Sequence, residues 1–339
     1  MSFKRFDNED IVISSDGVST PAWSNNAVEL TTFYTSSDQV ARTSGDYYYN
    51  IYKDDTAQTS SAEVQFSVAY GDLKGSGSLA FDSNVSGSSP SSVIYKQYRT
   101  LVNGTEETNL AFGGETSETI YALSIERSRY KEKLLPGSLT LKLTSGSSDL
   151  YLTDNSTYAS TVTFGDLGRE YELVSGSAGT RYTGVSSTGY TRASGSYGKF
   201  LPDAGLILLS GKALDEGVSD GGLNFQTNRA SNTSTLNNKR MFEVINAGSS
   251  FTLRSEETIS SNYVFVRARN SEFNYSTNPS NITGSGELRH DIMIDSPQAY
   301  LTTVGLYNDN NDLLAVAKLS RPLVKDFTKE ALIRIKLDY

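Results

Sequence analysis

The chain contains no cysteine and only one histidine, His290, among its 339 residues. The absence of cysteine excludes disulfides, thiol nucleophiles, iron–sulfur clusters and cysteine-ligated zinc. A single imidazole also excludes every metal motif that needs two histidines, and it leaves His290 as the only possible base of a Ser-His-Asp triad. No neighbouring pattern supports that role. We therefore expect His290 to be a surface or cross-strand residue.

Positive charge is also scarce. Lys and Arg number 30 against 39 Asp and Glu, which gives a net charge of -9. A surface that binds nucleic acid needs a positive field, and the densest basic run, Arg127 to Lys133, is interrupted by Glu132 and preceded by Glu126. We interpret this run as a solvated segment and predict no nucleic-acid partner.

Long apolar segments are missing as well. The longest aliphatic run, Leu206 to Leu209, is far shorter than the ~20 residues that cross a bilayer. The first residues lack the apolar core of a secretory signal. We therefore expect no membrane insertion and a protein that stays in aqueous surroundings.

What the chain does contain is typical of a folded β protein. Apolar residues make up 37% and charged residues 20%, and much of the remainder is Ser, Thr, Asn and 28 Gly. With 21 Tyr, 14 Phe and only 7 Pro, the composition is too aromatic for a disordered chain. Short segments of alternating polarity, separated by Gly, Ser, Asn and Asp, predict a mainly β protein of antiparallel, sandwich-like sheets.

Several strands can be placed from this alternation. A hairpin is predicted from Leu139 to Leu152, with its turn at Thr144 to Ser148, and a second hairpin from Tyr171 to Val185. Thr161 to Phe164 reads as a short strand between them. Leu206 to Leu209 is apolar throughout, which favours a strand buried on both faces. Tyr47 to Tyr52 and Val64 to Tyr70 also read as strands, without an identifiable partner.

Two short helices are predicted. Residues 90–103 begin with Pro90 at the first helical position, after Ser89 as a capping residue, and end at Gly104. Residues 238–247 form the second helix, with Met241, Val244 and Ile245 on one face and Gly248 after it.

The domain organisation is read from three long stretches that are low in apolar residues, namely 71–90, 176–198 and 213–238. We expect an N-terminal β-rich portion with one helix over residues 1–115 and a central β portion over residues 116–250. A C-terminal β portion with a hairpin at residues 300–319 is expected over residues 251–339.

The acidic cluster from Asn308 to Asp312 invites comparison with a calcium loop. An EF-hand loop has Gly at its sixth position, whereas the sixth position counted from Asp309 is Leu314. The cluster stands between two strand-like segments, Tyr300 to Tyr307 and Leu313 to Leu319, and Asn and Asp favour turns. We predict a hairpin turn.

Other polar patterns also lack the setting of an active site. The adjacent acidic pairs would point to opposite faces of a strand, and we interpret them as solvated: Asp54-Asp55, Glu106-Glu107 and Glu256-Glu257. A phosphate-binding loop lies between a strand and a helix, whose N–H groups point at the phosphate. We find no such setting around Gly75 to Gly77 or Gly284 to Gly286. Trp23 is interpreted as a core residue. We predict no catalytic, cofactor-binding or metal-ligating residue, no cofactor and no enzyme activity.

Five stretches carry a resemblance to a known family: Arg5 to Val12, Arg129 to Ser138, Phe265 to Pro279, Thr302 to Leu319, and Arg321 to Tyr339. Together they resemble virion structural proteins of contractile-tailed phages, especially myoviruses of cyanobacteria and other marine bacteria. The strand–turn–strand pattern from Val304 to Ala317 also looks like a hairpin in the virion-proximal regions of phage tail-fibre and collar-fibre proteins.

The resemblance implies a non-enzymatic structural subunit of a phage virion, in the tail or baseplate or at a fibre attachment point. Its implied partners are other tail, baseplate or fibre subunits in multiple copies, and its implied location is the virion tail after assembly in the host cytoplasm. The alternatives are a neck or collar structural protein and a receptor- or glycan-binding tail adhesin whose Tyr-rich segment, Tyr182 to Tyr197, stacks on sugars. A third reading is a polysaccharide-degrading enzyme. The C-terminal residues from Ile333 onward are predicted to form a strand, with a partner in this chain or in another.

Overall fold

A computed structural model of the chain describes residues 4–36, 48–78, 84–85, 89–182, 195–230 and 237–338. The protein is mainly β, as the sequence predicts. In chain order the strands are β1 (Ile11–Pro21), β2 (Glu29–Leu30), β3 (Tyr48–Tyr52), β4 (Val64–Asp72), β5 (Ala111–Phe112), β6 (Glu115–Thr116), β7 (Thr119–Ile125), β8 (Lys133–Leu134), β9 (Thr140–Ser145), β10 (Ser148–Asp154), β11 (Thr163–Gly165), β12 (Gly168–Ser177), β13 (Thr180–Arg181), β14 (Gly198–Leu201), β15 (Leu206–Ser210), β16 (Phe251–Thr252), β17 (Arg254–Ala268), β18 (Ala299–Tyr307), β19 (Leu313–Lys325) and β20 (Ala331–Asp338). The α-helices of the described residues are α1 (Pro90–Asn103), α2 (Gly211–Asp215), α3 (Asn237–Gly248) and α4 (Ile292–Asp295).

The chain divides into two compact units. The larger unit is Val18–Glu257, and the smaller unit combines Met1–Gly17 with Thr258–Tyr339. This division differs from the three portions expected from the sequence, because residue 115 lies inside the larger unit. The reason is strand pairing: β4, from the expected first portion, pairs with β7, from the expected second portion. The expected change near residue 250 lies close to the boundary at Glu257.

The larger unit is organised around a 12-stranded antiparallel sheet. Its strand order is β2-β16-β9-β10-β12-β14-β15-β7-β4-β3, with β11 and β13 also paired to β12. The predicted hairpin at Leu139 to Leu152 is confirmed as β9 and β10, which pair from Leu141 with Leu152 to Ser145 with Ser148. Gly146 occupies the turn with a φ of 61°, a value that glycine tolerates well.

The central strand β15 is buried along its whole length, as its apolar sequence predicts. Ile207 and Leu209 face one apolar cluster, which also contains Met241 and Ile245 of α3. The intervening Leu206 and Leu208 face a second cluster, and α1 contributes Tyr95 and Val102 to it. A strand covered on both faces needs apolar residues at every position, which explains the lack of alternation. Burial of each such side chain stabilises the fold by about 1.5 to 3 kcal/mol.

Both predicted helices are confirmed. The first, α1, has the predicted bounds and ends at Gly104, whose φ is 65° and whose N–H donates to the Thr100 carbonyl at 2.9 Å. The predicted cap is wrong in one respect. The Ser89 hydroxyl does not cap the helix, because it donates instead to the Gly75 carbonyl at 2.7 Å. The second helix, α3, extends one residue beyond each predicted end.

The remaining strand predictions are met in part. A hairpin is present at the second predicted place, but its returning strand is β13 (Thr180–Arg181) rather than the predicted Tyr182 to Val185, because β12 continues through Ser177. Residues 183–185 of that prediction lie outside the described residues. The short strand predicted at Thr161 to Phe164 is β11, which starts at Thr163. The two early strands without a recognised partner pair with each other, as β3 and β4.

The smaller unit contains most of a sheet with the strand order β1-β17-β20 and a separate two-stranded hairpin. β20 pairs with β17 from Ala331 with Ala268 to Asp338 with Ser261, so the predicted C-terminal strand has its partner within the same chain. β18 and β19 form the predicted hairpin as a separate two-stranded sheet. One face of the hairpin packs on the β17–β20 sheet, where Val264, Leu306 and Ile335 are the buried residues. No helix in the described part of the chain is long and apolar enough to cross a membrane.

Candidate assembly surface

The structure places two of the candidates weighed in the sequence in a loop and in a turn. His290 is exposed in a loop, as expected. The Asn308 to Asp312 segment is the predicted turn of the β18–β19 hairpin: the Asp312 N–H donates to Asn308 Oδ1 at 2.7 Å, and Asn311 has a left-handed φ of 66°. Within the described ranges, no group of three or more His, Asp or Glu side chains is placed to hold a metal ion.

The basic run from Arg127 to Lys133 is neutralised by acidic partners. The ion pairs are Arg129 with Glu63 at 2.7 Å, Lys131 with Glu257 at 2.8 Å, and Lys133 with Glu256 at 3.7 Å. Arg127 instead donates to the Tyr130 carbonyl and lies over the Tyr130 ring, 4.7 Å from its centroid. The prediction of a solvated segment is therefore wrong in part, because ion pairs hold the run and Glu256 and Glu257 are two of the acidic partners.

A partly buried ionic network that the sequence does not reveal lies at the end of β4. Asp72 is fully buried, and its carboxylate accepts hydrogen bonds from the N–H groups of Lys74 and Ser76 at 2.8 and 3.0 Å. Arg229 donates to Asp72 at 2.7 Å and to Glu118 at 2.9 Å. Because Asp72 and Arg229 are far apart in sequence, no local pattern could have indicated this pair.

The network continues through aromatic and acidic side chains. The Tyr121 hydroxyl lies 3.0 Å from the Thr227 hydroxyl, and Asp215 accepts from the Thr227 N–H and hydroxyl at 2.7 and 2.9 Å. Burial raises the pKa of Tyr70, Tyr121 and Asp215 above their ordinary values. The hydrogen bonds of the network are made to groups of the same unit, so its chemistry is that of a structural support for the loop around Thr227.

Exposed apolar side chains are concentrated elsewhere, in the smaller unit. It contributes 15 of the 24 large apolar residues that are exposed in the described part of the chain. Three lie next to each other at the start of β1: Ile11, Val12 and Ile13. Soluble monomers rarely expose large contiguous apolar patches, and such patches mark interaction sites.

The hairpin of the smaller unit shows how this exposure arises. Leu306, Val304, Ala315 and Ala317 pack on the β17–β20 sheet. The opposite face carries Leu314 and Val316, which are 68% and 58% exposed. Tyr300 alternates with Val304 and Leu306 and lies on their face, but at the far end of β18 it is 64% exposed. We define the exposed apolar side chains of β18 and β19 as the hairpin surface: Tyr300, Tyr307, Leu313, Leu314, Val316 and Leu323.

A sequence signal for this surface exists. A strand covered on one face alternates between apolar and polar residues, whereas Leu313 to Ala317 is apolar throughout. The same pattern in β15 reflects burial on both faces. In β19 only one face is buried, so the apolar residues of the other face have no cover within the described chain.

Comparison with known proteins assigns neither a family nor a function to the chain. No family model matches the chain, and no curated protein and no solved structure matches it.

Proposed function

We propose that this protein is a non-enzymatic structural subunit of a phage virion, in the tail or baseplate or at a fibre attachment point, where it contacts other virion proteins. The observation that carries the proposal is the exposed apolar surface of the smaller unit. An apolar side chain that stays in water gains none of the ~25 cal/mol per Å² that burial provides, and a subunit interface supplies that burial.

The position of the resembling stretches supports the same proposal. Four of the five stretches, all except Arg129 to Ser138, fall within the smaller unit. They include every residue of the hairpin surface except Tyr300. The stretches that resemble virion proteins thus contain most of the exposed apolar residues of the hairpin. We expect this coincidence if these residues contact other virion proteins.

The test is quantitative mass spectrometry of gradient-purified particles from an infected host, followed by reconstruction of the particle by electron microscopy. We expect the chain at a fixed stoichiometry relative to the major tail proteins, with density in the tail region. Recovery of the chain only in the soluble fraction of the lysate would overturn the proposal. Density at the neck or collar would place it in the alternative structural position.

The adhesin alternative is separated by a binding assay. Purified protein is applied to host cells and to an array of host envelope polysaccharides, with heat-denatured protein as control. Binding that soluble host polysaccharide competes away would identify an adhesin and replace the purely structural role. Release of reducing ends from those polysaccharides would identify an enzyme.

A further inference from the structure

The β18 strand has an open edge. In the part of the chain that the structure describes, its only strand partner is β19. Its nine residues, Ala299–Tyr307, include no charged residue and no proline, and they are rich in Tyr, Thr, Leu and Val. Proteins usually protect edge strands with charges, proline or bulges, because an open edge of backbone N–H and C=O groups is a template for another strand.

The other edge of the same hairpin is protected. β19 carries Lys318, Arg321 and Pro322, and proline provides no N–H for strand pairing. Both irregularities of the hairpin register add residues to β19: residues 319–322 stand opposite Thr302 alone, and Leu314 is the extra residue near the turn. The added residues interrupt the regular ladder of β19, whereas β18 is not interrupted. One hairpin therefore has one open edge and one protected edge.

The open edge suits a second copy of the same strand. Because β18 has no ionisable side chain, an antiparallel copy would place no like charges opposite each other. The smaller unit as a whole is close to neutral, with 11 basic and 13 acidic residues, whereas the larger unit has 19 and 26. Two smaller units can therefore approach each other with little repulsion.

We infer that two copies of the chain associate through β18, which pairs with its antiparallel copy across a two-fold axis to form a four-stranded sheet in the order β19-β18-β18-β19. The association is isologous and closes at two copies, because only the protected β19 edges face outward. Main-chain hydrogen bonds supply affinity, and exposed side chains such as Tyr300 are brought together. The inference names a partner for the surface on which the proposed function rests.

The absence of cysteine allows a direct test by cross-linking. Thr302 and Thr303 are exposed near the middle of β18, and each is replaced separately by cysteine. Directly opposed residues of antiparallel strands have Cα atoms about 4.5 to 5.5 Å apart, which is within disulfide reach. Thr163→Cys is the matched control, because Thr163 is an exposed threonine in β11 of the larger unit.

Under mild oxidation we expect Thr302→Cys or Thr303→Cys to give a disulfide-linked dimer of about twice 36.9 kDa on a denaturing, non-reducing gel. Thr163→Cys should give no disulfide-linked dimer on the same gel. A cysteine meets its own copy only at the two-fold axis, so the two variants are also mixed in equal amounts. If neither variant nor the mixture cross-links, or if the control cross-links equally, β18 does not pair with its copy about the centre of the strand and the inference is wrong.

The second measurement is the mass of the chain in solution by light scattering. We expect a dimer. Thr303→Lys should weaken dimerisation at least tenfold, and mixing Thr303→Lys with Thr303→Glu should restore it. Thr163→Lys is the control. An unfolding transition like that of the unsubstituted protein shows that each variant is folded. A monomer, a trimer or an unaffected Thr303→Lys dimer would overturn the inference. A monomer that is found in purified particles would overturn it while leaving the proposed function intact.

Discussion

The larger and smaller units differ most in where their large apolar side chains lie. Only five of the 48 buried apolar residues in the described chain belong to the smaller unit, which nevertheless holds most of the exposed ones. The larger unit places residues from eleven strands, α2 and α3 in one continuous apolar cluster. The smaller unit packs a hairpin on one face of a sheet and leaves the other hairpin face open.

Under the proposed function, the residues that stabilise the fold are mostly in the larger unit, and the apolar residues that contact other subunits are mostly in the smaller unit. A large core provides the burial that offsets the conformational entropy lost on folding. A unit with few buried residues has little of this stabilisation of its own, and under the proposed function its apolar surface contacts another subunit.

The first prediction compares one truncation in each unit. Phe66 is fully buried, and its ring lies 5.2 Å from that of Phe251 and 6.0 Å from that of Trp23. Phe66→Ala removes these contacts and leaves a cavity, so we expect it to lower the free energy of unfolding by about 3 to 5 kcal/mol. Trp23 is the only tryptophan, and its fluorescence during chemical denaturation reports on this core.

The matched change in the smaller unit is Leu332→Ala, because Leu332 is 63% exposed on β20. We expect its effect on the free energy of unfolding to stay within about 0.5 kcal/mol, as for most surface substitutions. It should be measured by hydrogen exchange of the smaller unit's amides at a concentration where the chain is monomeric. Equal losses for the two variants would break the comparison between the units.

The part of this architecture that could be predicted from the sequence is the local part. Pro90 and Gly104 delimit α1 because their backbone preferences act within one turn, and the Asn308 to Asp312 turn is recognisable for the same reason. Pairing between distant segments has no local signal. The register of β4 with β7 depends on a whole sheet, and for that reason the domain boundary near residue 115 was misplaced.

The candidate surface was only partly predictable. The hairpin at residues 300–319 could be recognised, but an apolar run such as Leu313 to Ala317 has the same appearance whether one or both of its faces are covered. That distinction depends on what packs against the strand. The network at Asp72 could not be predicted at all, because its partner Arg229 comes from a distant loop.

The second prediction concerns the polar support of the smaller unit. The Lys325 ammonium is fully buried and donates to Asn274 Oδ1 at 2.6 Å and to the carbonyls of Asn270 and Asp326 at 3.1 and 3.0 Å. Lys325→Met leaves these acceptors without their donor, and we expect a loss of about 1 to 3 kcal/mol, measured by hydrogen exchange of the amides in residues 269–275.

The matched control for this change is Lys318→Met, because Lys318 is exposed on the same strand. We expect it to alter amide exchange in residues 269–275 by less than the equivalent of about 0.5 kcal/mol. If the two variants behave alike, polar bonds to Lys325 do not stabilise this unit, and the contrast with the apolar core of the larger unit becomes sharper.

The last prediction uses pH to distinguish the two units. In the larger unit, burial raises the pKa of Asp215 above 3.8, and the hydrogen bonds from Thr227 oppose this effect only in part. In the smaller unit, hydrogen bonds from Thr328 and Lys329 lower the pKa of Asp326 to about 2. A raised carboxyl pKa means that the folded state retains a proton that the unfolded state releases, so the contribution of Asp215 to stability falls as the pH rises above 3.8.

The stabilising contribution of Asp326 changes with pH in the opposite direction: it is present above pH 3.8 and is lost as the pH falls toward 2. At pH 7 we therefore expect Asp215→Asn to raise the stability of the larger unit, since the asparagine Oδ1 can still accept both bonds from Thr227, and Asp326→Asn to lower that of the smaller unit. Hydrogen exchange of each unit at pH 7 and pH 4 measures both effects. A stabilising Asp326→Asn or a destabilising Asp215→Asn at pH 7 would show that burial and hydrogen bonding do not act on the two carboxyls in this way.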